Sequence, residues 1–144
     1  MEFITASKEQ IILHMDELIK IEKGSLLFPR WDENNFLIDL DYKWMLSKIM
    51  YYNEILVGFA ILSKKTEVSS HIHRFVIGQP FRGKGVGKIF LNHLKIEIAK
   101  KFEYLTLCVD SNNKEAIEFY KNNFFKPIFI VGNNTLMIFK NEFR

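Results

Sequence analysis

The stretch QPFRGKGVGK, Gln79 to Lys88, places three glycines and three cations within ten positions. An apolar run, HIHRFVIG, precedes it and another, VGKIFLNHL, follows, so a strand leads in and a helix leads out. Glycines at such a turn bring bare backbone close to a ligand, most often a phosphate. Fold and function both depend on whose phosphate that is.

Two familiar loops fail on named residues. Gly78 to Lys84 fits G-x-x-x-x-G-K, but Gly85 stands where a nucleotide-triphosphate loop needs a Ser or Thr hydroxyl for magnesium. The dinucleotide pattern G-x-G-x-x-G fails because Lys88 and Phe90 hold the candidate third-glycine positions. What remains is Arg82-Gly83-Lys84-Gly85-Val86-Gly87 at a helix start. Its successive N–H groups form an anion-binding concavity, the helix dipole adds its positive end, and Arg82, Lys84 and Lys88 add charge. A diphosphate without an obligatory metal, such as that of coenzyme A, suits this geometry better than ATP with magnesium.

Around this loop the chain reads as one domain over residues 1–144, long enough to bury a full core. Hydrophobic residues make up 48% and charged ones 26%, ordinary for a globular protein, and 14 Phe predict an aromatic core. A net charge of +3 gives no argument for a nucleic-acid partner. The single cysteine, Cys108, excludes an internal disulfide and a Cys-based zinc site, and suits a reducing cytoplasm. No ligand spacing suggests a metal. No apolar run has the length of a membrane span and MEFITASKEQ is not a signal peptide, so a soluble, intracellular protein is expected.

Glu2 to Thr5 predicts a short edge strand. Ser7 and Gln10 form a capping-box pair, and Ile11, Ile12, Met15, Leu18 and Ile19 follow at helical spacing as far as Gly24. Residues 25–38 have no clean period and predict a loop or short helix, with a second helix over Asp41 to about Met50. Asn53-Glu54 predicts a hairpin turn, Lys64 to Ser70 another turn, and His71 to Gly78 a strand. From Gly85 a helix is expected with Val86, Ile89, Phe90, Leu94 and Ile98 on one face and Lys88, Asn92, Lys95 and Lys100 on the other. Tyr104 to Val109 reads as a strand, and Asn112 with Glu115 caps a helix bearing Ala116, Ile117, Phe119 and Tyr120. The turn Gly132-Asn133-Asn134 splits two closing strands, Pro127 to Val131 and Thr135 to Phe139. The order β-α-α-β-β-β-α-β-α-β-β predicts an α/β fold with a mixed, mostly antiparallel sheet of about seven strands and helices on both faces.

Residues 82–87, RGKGVG, resemble the R/Q-x-x-G-x-G/A signature of the GNAT superfamily of acyl-CoA-dependent N-acyltransferases. LCVDSNNKEAIEFYKNNFF, Leu107 to Phe125, is similar to the family's second signature, and the two lie in its order and separation. The element order carries the resemblance over the whole chain. It implies acetyl-CoA as acyl donor, no metal, and a strand before the glycine loop that splays from the next to admit the pantetheine arm. Carried over by position, the backbone of Phe75, Val76 and Ile77 would pair with that arm, while Gly83 to Lys88 would hold the diphosphate through N–H groups. Asn113 would hydrogen-bond the arm and Tyr120 would sit near the thioester sulfur. Two departures are Phe124-Phe125, where members usually carry Gly-Phe, and Pro80, one position later than usual.

The implied reaction is direct attack of a primary amine on a thioester, which needs a base for the ammonium proton, a donor to the leaving sulfur and an N–H for the oxyanion. Tyr120 is the family's donor, and the backbone around Ile77 could serve the oxyanion. His71 and His73 are two apart, so regular alternation puts both on one face with Phe75 and Ile77. They are similar to paired histidines tied to proton removal in arylalkylamine N-acetyltransferases, or else form a polar pair at an exposed strand end. Phe28, Trp31 and Phe36 either pack on the core or line the acceptor pocket with Asp32 and Glu33. Relatives that acetylate proteins often have Glu where this chain has Cys108. The acceptor expected is therefore a small amine or amino-sugar, with a protein or peptide amine as the second class. Competing readings are an acyl-CoA-binding module without turnover, or a nucleotide-triphosphate hydrolase. Exposed strand edges near the C-terminus leave a homodimer open.

Overall fold

The computed structural model describes residues 1–142. Seven strands form one sheet in the order β1-β2-β3-β4-β5-β7-β6. The strands are β1 (Glu2–Thr5), β2 (Lys48–Tyr52), β3 (Ile55–Lys64), β4 (Ser69–Ile77), β5 (Tyr104–Asp110), β6 (Lys126–Val131) and β7 (Asn134–Lys140). All pairs are antiparallel except β4 with β5. The α/β, mixed-sheet expectation holds, and so do both hairpins. Asn53 and Glu54, the two residues between paired Tyr52 and Ile55, adopt positive φ of 50° and 66°, the left-handed pair that a tight hairpin requires.

One face of the sheet carries α1 (Lys8–Leu13), α2 (Met15–Lys23) and α3 (Glu33–Leu37). They bury Ile11, Leu18 and Phe36 against Ile49, Phe59, Ile61 and Val76. The other face carries α5 (Val86–Ala99) and α6 (Lys114–Asn122). Here Phe90, Leu91, Leu94 and Ile98 meet Ala60, Leu62, Ile72, Leu105 and Leu107. Between α3 and β2 lies the one-turn α4 (Lys43–Leu46). No helix among the described residues is long and apolar enough to cross a membrane.

Four local expectations are corrected. The first helix is two, broken at His14, although Ser7 does cap it by accepting from Gln10 N–H at 3.2 Å. The second expected helix stops at Leu46, because Lys48–Tyr52 is claimed as a strand by pairing with both β1 and β3. Cross-strand pairing on both edges overrides a weak local preference there. Leu91 rather than Ile89 faces the core from α5, since Ile89 is 45% exposed. The α6 cap is Asn113, whose Oδ1 accepts from Ala116 N–H at 3.1 Å. Asn112 instead donates its backbone N–H to Asp110 Oδ1.

A residue the sequence did not single out, Lys43, is fully buried under α3. Its ammonium donates to the carbonyls of Asn35, Phe36 and Ile38 at 3.3, 2.7 and 2.6 Å, satisfying acceptors that a helix end leaves open.

Candidate active site

Strands β4 and β5 pair only from Ser69 with Tyr104 to Ile72 with Leu107. Beyond that register β4 continues along β3 to Ile77, and β5 continues along β7 to Asp110. The two central strands therefore part, leaving unpaired edges that face a cleft of about 460 Å³. Its walls include Ile72 to Phe75 from β4, Leu107 to Asp110 from β5, Asn113, Ala116 and Tyr120 from α6, and Leu26 to Phe28 from the α2–α3 loop.

The glycine loop stands at the far end of β4, after a short 3-10 turn over Gln79–Phe81. Gly83 and Gly85 take φ of +74° and +79°, which glycine reaches without strain. They turn the chain so that α5 begins at Val86 with no side-chain cap. The first N–H groups of a helix lack internal acceptors, so Val86, Gly87 and Lys88 present a positive, unsatisfied backbone. Lys84 and Lys88 are exposed around it, whereas the Val86 side chain is buried in the core and offers only its backbone. Arg82 differs from expectation. Its guanidinium is committed to two carbonyls, Ile77 at 2.9 Å and Gly24 at 3.1 Å, and so braces the loop.

On β4 the alternation breaks. Ile61 pairs with Arg74 and Leu62 with Ile72, so His73 is the extra residue of a β-bulge. Ile72, Phe75 and Ile77 pack toward α5, while Arg74 reaches Glu22 on α2. His71 and His73 thus do not share a face with Phe75 and Ile77. They lie on the α1–α2 face, their rings 5.0 Å apart. His73 Nε2 contacts Ser63 Oγ at 2.6 Å, and His71 Nδ1 contacts Thr106 Oγ1 at 2.7 Å. Burial, then the neighbouring His73 and Lys65, pull His71 down to about 4. His73 is lowered too, by desolvation first and then by Lys43 and Lys65. Both imidazoles are neutral at neutral pH; of the two, only His73 lines the cleft.

Tyr120 is half-buried in the cleft between Phe119 and Phe125, and desolvation raises its phenol, so it keeps its proton. Asn113 spends its Oδ1 on the α6 cap, leaving the amide N–H groups to donate. Among the aromatics left open by the sequence, Phe28 lines the cleft and Phe36 is core. Trp31 packs edge-on against Phe36 at 5.2 Å. Asp32 is occupied capping α3 through a reciprocal pair with Asn35, and Glu33 borders a separate hollow with Asp16 and Lys20. The acidic rim expected from these two is not part of the cleft. Sequence reasoning missed Arg74, which lines the cleft, and its partner Glu22; a charged residue in a strand of buried alternation was the available signal.

A mixed sheet whose central strands part beside a glycine-rich helix start offers a bed for an extended, phosphate-bearing ligand. The chain belongs to the acetyltransferase (GNAT) family, whose family model matches residues 14–124. It is 32% identical over 105 residues to the probable N-acetyltransferase san of Drosophila melanogaster, covering 68% of this chain and 56% of that protein. It is 29% identical over 112 residues to N-alpha-acetyltransferase 50 of Danio rerio, covering 73% of this chain and 66% of that one. The matches thus span 56% and 66% of those relatives' lengths. In fold it is similar to Arabidopsis thaliana Naa50 in complex with the bisubstrate analogue CoA-Ac-MVNAL, at TM-score 0.75 and 21% identity over 97% of this chain and 98% of that one.

Proposed function

We propose that this chain transfers an acetyl group from acetyl-CoA to a primary amine, with a peptide or protein amine as the favoured acceptor. The parting of β4 from β5 beside the glycine loop carries the reading, because it offers an extended arm backbone partners and a diphosphate a bed of N–H groups. Gly83 to Lys88 hold the diphosphate, the free edge of Phe75 to Ile77 pairs the arm, and Asn113 donates to it. His73, neutral and on the cleft surface, takes the ammonium proton. The freed amine nitrogen bonds to the thioester carbon as the carbon–sulfur bond breaks; Tyr120 donates its phenol proton to the leaving sulfur, and the surplus proton on the new amide nitrogen returns to the phenolate. No step requires a metal, and no group of metal-ligating side chains occurs among the described residues.

The peptide acceptor is supported by the open cleft with its exposed apolar rim, Leu26 and Phe28, and by the names of the relatives. Cys108, where protein-acetylating relatives often carry Glu, supports the small-amine reading as second. A reducing, cytoplasmic setting suits that exposed thiol.

The test is a thermal-shift titration with acetyl-CoA, CoA and ATP–Mg, followed by free-thiol release against peptides and small amines in parallel. A ligand of the native state must raise the melting temperature. Shifts with both CoA species but not ATP, and turnover of peptide amines, are expected. No shift with either CoA species removes the cofactor reading. Turnover of small amines alone reverses the acceptor preference.

A further inference from the structure

The end of α2 is tied to β4 by a buried ion pair. Arg74 Nε donates to Glu22 Oε1 at 3.0 Å and Nη2 to Oε2 at 2.6 Å, a two-pronged contact between residues 52 apart in sequence. Glu22 is fully buried and Arg74 8% exposed, so each offsets the other's buried charge. The same two side chains grip the loop that follows. Glu22 Oε2 accepts from Trp31 N–H at 3.3 Å, and Arg74 Nη2 donates to the Pro29 carbonyl at 3.0 Å. The guanidinium also sits over the Trp31 ring, 5.5 Å from its centre.

The gripped segment contains Leu26 to Phe28, the cleft's wall on the α2 side. Leu26 is 90% exposed and Phe28 83% exposed, so core burial does not fix either one. Arg74, paired with Ile61, faces α2 as Val76 does, and the bulge brings His73, the proposed base, onto that same face beside it.

We propose that Arg74, acting through Glu22, is a positioning residue that fixes the α2–α3 loop as the acceptor wall and so sets affinity for the amine without touching the acyl donor. This rests on the acetyltransferase reading. The pair spans the acceptor wall and β4, whereas the glycine loop is braced by Arg82 to the carbonyls of Ile77 and Gly24, ahead of Leu26 to Phe28. Its loss therefore frees one substrate's surface and leaves the other's in place.

The experiment compares Arg74→Lys, Arg74→Met and Glu22→Gln with the wild type in free-thiol release kinetics, in acetyl-CoA thermal shift and in limited trypsin digestion read by mass spectrometry. Arg74→Met and Glu22→Gln are expected to raise the amine KM roughly tenfold while the KM for acetyl-CoA and the acetyl-CoA shift stay within about twofold of wild type. Arg74→Lys, which keeps the charge but loses the fork, should recover only part of the loss. Cleavage after Lys23 and Arg30 should accelerate in Arg74→Met and Glu22→Gln. Glu22→Gln preserves volume and serves where Arg74→Met fails to fold. Unchanged amine KM and digestion, or equal rises in both KM values, would overturn the positioning role. A wild type that turns over no amine would instead remove the acetyltransferase reading, and the acceptor role of the pair with it.

Discussion

His73 Nε2 lies 2.6 Å from Ser63 Oγ across the bulged pairing of β3 with β4. In the tautomer whose Nε2–H donates to the hydroxyl, Nδ1 is the free acceptor, the form a general base needs. Desolvation with Lys43 and Lys65 disfavours the imidazolium, so the pKa lies below the ordinary value of about 6.5. The sign follows: neutral His73 persists to lower pH than a free imidazole, so the midpoint of the acid limb in kcat/KM is expected below 6.5. His73→Gln should lower kcat/KM by roughly 10²-fold and abolish that limb, measured as a pH–rate profile against one peptide amine. A variant that keeps both rate and limb would move the proton elsewhere.

Tyr120 stands at the α6 wall with its phenol held protonated by burial. Removing only the hydroxyl preserves the ring contacts with Phe119 and Phe125, at 5.2 and 5.6 Å, so Tyr120→Phe tests donation rather than packing. The expectation is a kcat loss on the order of 10²-fold with acetyl-CoA affinity unchanged. Thermal shift with CoA is the control. A full-rate Tyr120→Phe would leave the sulfur to solvent.

Gly83 and Gly85 offer the loop only backbone, and the space beside them is empty of neighbours that a methyl would strike. Any penalty at Gly85 therefore comes from φ of +79°. An L-residue pays about 1–2 kcal/mol there, while Asn tolerates the region better. Gly85→Ala should weaken acetyl-CoA binding roughly tenfold by letting the loop relax and misaim its N–H groups, and Gly85→Asn should weaken it less. Isothermal titration with acetyl-CoA ranks the three. Equal affinities would show that these N–H groups do not hold the diphosphate.

What the sequence disclosed was local. Gly83 and Gly85, the Asn53-Glu54 turn and the Ser7 cap each specify their conformation within a few residues, and all were legible. Lys48–Tyr52 carries little local strand signal because its strand character comes from pairing on both edges, with β1 far along the chain and with β3 across the Asn53-Glu54 turn. The His73 bulge was invisible for a related reason: nothing in HIHRFVI marks the residue at which β3 skips a pairing, yet that skip decides which face both histidines occupy. The Glu22–Arg74 pair joins two elements that only the folded sheet brings together, so its contribution to the site could not be seen before the register was known.

Phe124 occupies the position where the resemblance led one to expect glycine, and the backbone there is left-handed, with φ of +71°. The side chain is 76% exposed and its ring has Lys95 Nζ 5.5 Å from its centre, a contact worth little at the surface. Holding a bulky residue in that region costs about 1–2 kcal/mol, whereas glycine costs about 0.5–1 kcal/mol in unfolded-chain entropy. Relief of strain should win by a small margin. Phe124→Gly is expected to stabilise the protein by about 0.5–1 kcal/mol, read as a higher urea midpoint at unchanged slope. Acetyl-CoA binding should be untouched, because the position lies beyond α6 and off the cleft. A lower midpoint would mean that the exposed ring and its lysine contribute more than the strained turn costs.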